Sequence, residues 1–281
     1  MAVTRLDQNY DAQVAAVRSK VMSYAYRKWS SLSAYRDADA EQLIAELVPR
    51  VEAGQKRVAE LTDAYLSRVA AQQLGTAILR GAVADATTES LRGVDANTVY
   101  QRPFTTVYTS LSNGNTLTAA TAAGAARLAD LVSSGMQLAK THSARQAMSR
   151  TGVELYQRIL TGRENCALCV IASTQRYYKG DLMPIHPGCD CGIKSFIGAP
   201  DEQVIDPKLL EQTHEAVAAK SGRAADRGGR DIGLNNPVAD YLDVIVTHEH
   251  GELGPVLAWR SDHFTGPSQI WPTKTSTRTG G

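Results

Sequence analysis

The four cysteines of this chain all fall between residues 166 and 191, at spacings suited to a metal ion. Cys166 and Cys169 form a Cys-x-x-Cys, Cys189 and Cys191 form a Cys-x-Cys, and His186 stands three residues upstream of the second pair as a fifth candidate ligand. Zinc takes four soft or borderline ligands in a tetrahedron, and two short-spaced pairs joined by a loop deliver four sulfurs to one point. Asn165 is placed to cap a short helix that sets Cys166 and Cys169 on one turn. In an extended segment, Cys189 and Cys191 point to the same face. Gly188 and Gly192 flank that pair and permit a tight backbone path around an ion. Arg163, Arg176, Lys179 and Lys194 lie near enough in sequence to offset thiolate charge. Four sulfurs close the shell, so the expected site is structural and has no open catalytic position.

Other fates of the thiols are disulfides, structural reduced thiols and a redox pair. No apolar signal segment is apparent, so the expectation is a chain that never crosses a membrane by its own signal and keeps its thiols reduced. A redox Cys-x-x-Cys needs a thioredoxin-like alternation of strands and helices, and that pattern is not visible. Zinc is therefore favoured, with reduced thiols next and disulfides last. His186, held between Pro184 and Pro187, serves either as a ligand in place of one cysteine or as a donor to a ligand sulfur.

The cysteine segment continues through Tyr178-Lys179-Gly180-Asp181-Leu182-Met183-Pro184 into His186-Pro187-x-Cys189-x-Cys191. With the upstream Cys-x-x-Cys, this run resembles the head-morphogenesis domain of phage Mu F-like minor capsid proteins. A second segment, His250-Gly251-Glu252-Leu253-Gly254-Pro255-Val256-Leu257, looks like one near the C-terminus of such proteins in phages of actinobacteria. The resemblance implies a structural zinc-binding minor capsid protein of a tailed bacteriophage, working in head morphogenesis near the portal or capsid interior. It also implies partners in the portal protein or major capsid protein, a location in the virion after assembly in host cytoplasm, and no enzymatic activity.

Two other classes are weighed against this. A nucleic-acid-binding zinc module contacting packaged DNA would use Arg163, Arg176, Lys179 and the arginines between 223 and 230. A net charge of +1 gives no global pull toward nucleic acid, so such a role would rest on a local patch. The Gly- and Arg-rich stretch from Ser221 to Gly233 reads first as a solvated linker, and no Gly-Lys-Ser or Gly-Lys-Thr phosphate loop is present. The enzyme alternative is a capsid maturation protease. Against it, His248-Glu249-His250 spaces its histidines two apart, where a zinc protease needs four. His142 and His214 have no evident Ser or Cys partner either.

The elements that must carry these residues read as mainly α: a helical N-terminal region, a small Cys-rich zinc knuckle and an extended C-terminal tail. Over 1–75, Leu6, Val14, Val17, Val21, Met22 and Tyr24 recur at helical steps. A second stripe starts near Asp37 or Asp39 and runs from Leu43 to Val69, ending at Gly75, which predicts a helix pair kinked or broken at Pro49. The span 76–161 is expected to be a helical bundle region. Within it, 76–96 is a weak connector and Asp95 or Asn97 starts a helix, with Pro103 early in that helix or in the turn before it. Asn113-Gly114-Asn115 is a turn, the small-residue run 116–126 allows close packing, and helix from Val153 to Leu160 leads into the cysteines. The knuckle spans 162–199, and a linker with a short helix spans 200–235. A C-terminal helix opening at Asn236-Pro237 and an extended tail with Trp259, Phe264 and Trp271 fill 236–281. The chain is 43% hydrophobic, adequate for a core, and no run approaches the roughly 18 apolar residues that span a bilayer.

Overall fold

The computed structural model describes residues 4–78, 81, 83, 85–160, 169, 172–173, 176–178 and 191–196 in full, and the backbone alone of 230–231, 237–238, 245–250 and 254–259. The described chain is mainly helical. α1 (Arg5–Ser30), α2 (Asp37–Leu74), the short α3 (Thr88–Arg92), α4 (Ala96–Ser112) and α5 (Leu117–Thr151) precede β1 (Leu155–Ile159), β2 (Arg176–Tyr178) and β3 (Gly192–Phe196).

Local chemistry sets the helix ends. Thr4 caps α1 by accepting from the Asp7 amide at 3.2 Å, while the Thr4 amide donates back to the Asp7 carboxylate at 2.8 Å. This reciprocal pair satisfies two amides that the first turn leaves open. At α2 the N-cap is Arg36, and Asp39 serves from the third position, accepting from the Arg36 amide at 3.0 Å. Gly75, at φ 67°, ends that helix in the left-handed region that glycine enters without strain. Asp95 caps α4 through the Thr98 amide at 2.9 Å, and Thr116 caps α5.

Pro49 does not break α2, which is assigned as one helix across it. Proline at 49 leaves only the Ala45 carbonyl without its intrahelical donor, and both residues are exposed, so water can serve that carbonyl. Leu47 and Val51, on either side, are fully buried and hold the helix to the core. Pro103 likewise lies inside α4, beyond the early position expected for it.

α5 is the centre of the fold. Residues 131–141 are buried on every side of the helix, with α1, α2, α3 and α4 all packed against it. A helix enclosed this way is normally apolar throughout, yet this one carries Ser133, Ser134, Gln137, Lys140 and Thr141. The neighbours supply partners and space: Arg18 donates to the Ser133 hydroxyl at 2.6 Å and Arg92 to the Leu131 carbonyl at 3.0 Å. A Cβ at Gly135 would sit 2.6 Å from the Gln55 amide nitrogen, so the missing side chain makes room for that residue.

The region 153–160 departs from expectation. α5 stops at Thr151 with Gly152 at φ 70°, and the residues expected to be helix form β1. β1 is the middle strand of an antiparallel sheet ordered β2-β1-β3, with Leu155 opposite both Tyr178 and Phe196. The sheet packs on α2: Gln73 donates to the Ser195 carbonyl at 3.0 Å, and Tyr156 and Ile193 join the main apolar core. The C-terminal helix expected from 236 is also corrected. β4 (Arg230–Asp231) pairs with β5 (Pro237–Val238), and β6 (Ile245–His250) pairs with β7 (Gly254–Trp259), both antiparallel. β-branched Ile245, Val246 and Thr247 favour that extended state. The extended tail beyond Trp259 lies outside the described residues.

Candidate metal centre

Of the five expected ligands, Cys169 and Cys191 are described, while Cys166, His186 and Cys189 lie outside the described residues. Both described thiols are buried, at 4% and 2% exposure. The register fixes the end of the sheet at which Cys191 stands. Ile159, the last residue of β1, pairs with Gly192, the first of β3, so Cys191 enters the sheet where β1 leaves it. β2 runs back from that same end, because Gln157 pairs with Arg176, the first residue of β2. The connection carrying Cys169 therefore departs and returns at the end where Cys191 stands. Cys169, Ala172 and Ser173 are helical positions on it, and Gln157 of β1 donates to the Ser173 carbonyl at 2.9 Å.

The surroundings of Cys191 include groups that sequence spacing did not reveal. Lys140, 2% exposed at the middle of α5, donates to the Cys191 carbonyl at 2.6 Å. That bond ties the entry of β3 to the central helix and places an ammonium beside the thiol-bearing segment. Arg158 is 1% exposed, with its guanidinium 5.7 Å from the Tyr156 ring centroid. Tyr177 stacks on Tyr156 at 5.3 Å, and its phenol is pushed up, first by burial. Arg158 opposes that rise and the charge of Cys191 adds to it, which puts all three groups within one electrostatic neighbourhood.

Of the expected compensating cations, Lys194 lies 3.9 Å from the buried Asp7 carboxylate and so serves that group. Arg176 places its guanidinium 5.9 Å from the Phe196 ring. Arg163 and Lys179 lie outside the described residues. Among the described residues no three His, Cys, Asp or Glu side chains converge on one point. His142 stands beside Gln146 at 3.0 Å on α5, and His248 and His250 fall within β6. With this geometry established, comparison with known proteins finds no matching family model, curated protein or solved structure.

Proposed function

We propose that this chain is a structural minor capsid protein of a tailed bacteriophage, acting in head morphogenesis near the portal or capsid interior. We further propose that four of Cys166, Cys169, Cys189, Cys191 and His186 hold a structural Zn2+. The observation that carries the metal reading is the burial of both Cys169 and Cys191, with the connection that bears Cys169 leaving and rejoining the sheet at the end where Cys191 stands. Two short strands and one helical turn bury little apolar area of their own, and an ion tying their connections supplies what such a patch lacks. The donor set fits zinc, since thiols and imidazole are soft or borderline ligands. When bound, the ion fixes the ends of the loops. Lys140 holds the Cys191 backbone at 2.6 Å, and Gln157 holds the Ser173 carbonyl four residues past Cys169. The phage assignment rests on the resemblance of the segment 166–191 and on a scaffold dominated by helices, with the portal and major capsid proteins as proposed partners.

Metal analysis of the purified full chain, with limited proteolysis before and after chelation, tests the site. The expected result is one zinc per chain, lost in Cys189→Ser, with new cleavage between 162 and 199 while α1 to α5 stay protected. No bound zinc, or a cleavage pattern unchanged by chelator, overturns it. Locating the chain in assembled particles tests the role, and its absence from them overturns the capsid assignment.

A further inference from the structure

α1 and α2 run antiparallel, as the contacts of Tyr10 with Tyr65 and of Tyr24 with the Glu46 carbonyl require. Between them lies an open groove of about 450 Å³, lined on α1 by Val17, Lys20, Val21, Tyr24 and Arg27 and on α2 by Arg50, Ala53, Gly54 and Arg57. Each set follows helical spacing and so forms one stripe. The floor is apolar, and at Gly54 the helices beneath it pack closely. A Cβ there would meet Val21 at 2.7 Å and Met136 at 2.8 Å. The rim is cationic. Lys20, Arg27, Arg50 and Arg57 are exposed, and no carboxylate lines the groove.

The four cations occupy the corners of the groove. Lys20 and Arg27 are one heptad apart, as are Arg50 and Arg57, so each row separates its charges by about 10 Å along its helix. The antiparallel pairing sets Lys20 near Arg57 at one end and Arg27 near Arg50 at the other. An apolar seam flanked by like charges at heptad spacing is the half-site that a third helix completes. Its leucine-type residues would cover the floor and its glutamates would meet the rim. Carboxylates near the rim are already engaged: Glu60 pairs with Arg57 at 3.3 Å, and Glu46 with Lys28. The first is an exposed pair within one helix, weak enough for an incoming carboxylate to displace. Arg50 lies over the Tyr24 ring at 5.8 Å, which holds its guanidinium at the lip of the groove.

We propose that this groove docks an amphipathic helix with acidic flanks from a partner protein. The proposal is independent of the metal site and of the capsid assignment. Its chemistry also separates it from a nucleic-acid surface. Phosphates would gain from the cations alone, whereas Val17, Tyr24 and Ala53 offer area that only an apolar side chain uses.

The test is fluorescence anisotropy with the full-length chain and a labelled probe peptide of about 21 residues, three heptads with alanine at a, leucine at d and glutamate at e and g. Expected are saturable binding at low salt that weakens as ionic strength rises, and loss of about tenfold or more in affinity in Arg27→Glu/Arg57→Glu. Ala53→Trp fills the floor without altering charge and is expected to give a similar loss. Both variants change exposed positions, and unchanged helical circular dichroism shows that they fold. No saturable binding by about 100 μM peptide overturns the proposal. So does equal binding of a peptide with lysine in place of glutamate, or of one with serine in place of leucine. Tighter binding of single-stranded DNA, lost in the charge-reversal variant but retained in Ala53→Trp, overturns it in favour of a nucleic-acid surface.

Discussion

Asp7 and Asp63 are buried carboxylates, and the fold gives each a full set of partners. Asp7 accepts from the Thr4 amide at 2.8 Å and the Tyr65 hydroxyl at 2.8 Å, with Lys194 at 3.9 Å, so one side chain joins the start of α1, the C-terminal part of α2 and β3. Asp63 accepts from Arg150 at 2.5 Å and from the Gly81 amide at 3.0 Å. Removing one partner of a buried pair strands the other charge, at a cost of several kcal/mol. Because the Arg150 side chain is 31% exposed, Arg150→Met is expected to lose about 2 kcal/mol, read as a lower urea midpoint. Asp63→Asn/Arg150→Met should recover part of that loss, since no charge is then stranded. Buried phenols set an alkaline limit. Burial raises Tyr10 and Tyr65 above the usual tyrosine value of 10.0, and Asp7 adds to the rise at Tyr65. The unfolded chain releases these protons near pH 10 while the folded chain keeps them, so stability is intact below that pH and falls as pH rises beyond it. A melting-temperature series across that range checks this, and Tyr10→Phe should flatten the fall. The tight spacing of the cysteines marked the candidate segment in the sequence, and Cys169 and Cys191 are buried. Lys140 and Arg158 were not legible, because a lone lysine in a helix and an arginine in a short strand look like solvent-facing residues until their neighbours are known.

Among the elements, the α1–α2 pair was readable because Val14, Val21, Leu43, Leu47, Val51 and Val58 mark buried stripes at helical spacing. The α2 start expected at Asp37 or Asp39 has its N-cap at Arg36, and its expected end at Gly75 is the C-cap. β1 was misread for an equally specific reason. Its buried positions are Tyr156 and Arg158, so the two-residue alternation puts a charge on the inner face and hides the strand signature. Val153, Tyr156 and Ile159 meanwhile mimic a three-residue helical step. The stop at Gly152, a left-handed helix end, was the signal that outweighed them. The small-residue run at the start of α5 has a definite use. A Cβ on Gly124 would lie 2.5 Å from the Trp29 ring and 2.7 Å from Val107, so the absence of a side chain seats the indole. Alanine gains up to about 1 kcal/mol in helix propensity, yet overpacking costs about 1–3 kcal/mol. Gly124→Ala is therefore expected to lower the thermal midpoint, with the Trp29 fluorescence altered.

For the molecule as a whole, the apolar core runs from Tyr10 in α1 through α2, α4 and α5 to Ile193 in β3. Protection against hydrogen exchange should follow that geometry. Amides of α5 between Leu131 and Thr141, and of α2 between Val51 and Val58, are expected to exchange slowest, approaching the global unfolding limit. Mass-spectrometric exchange resolved by peptide checks this, and the ordering fails if α3 proves slower than either. At the sheet, Lys140 and Gln157 add polar ties from α5 to Cys191 and from β1 to Ser173.

The enclosure of α5 also bears on how the chain is made. α1 and α2 emerge from the ribosome before α5, and that helix, which covers their inner faces, is complete only when Thr151 has been synthesised. Until then Val51, Val58 and Leu66 have no lid, and the nascent pair presents sticky surface to whatever is nearby. Pausing of translation between residues 75 and 151 would prolong that exposure, and chaperone capture of the stalled chain is its natural consequence.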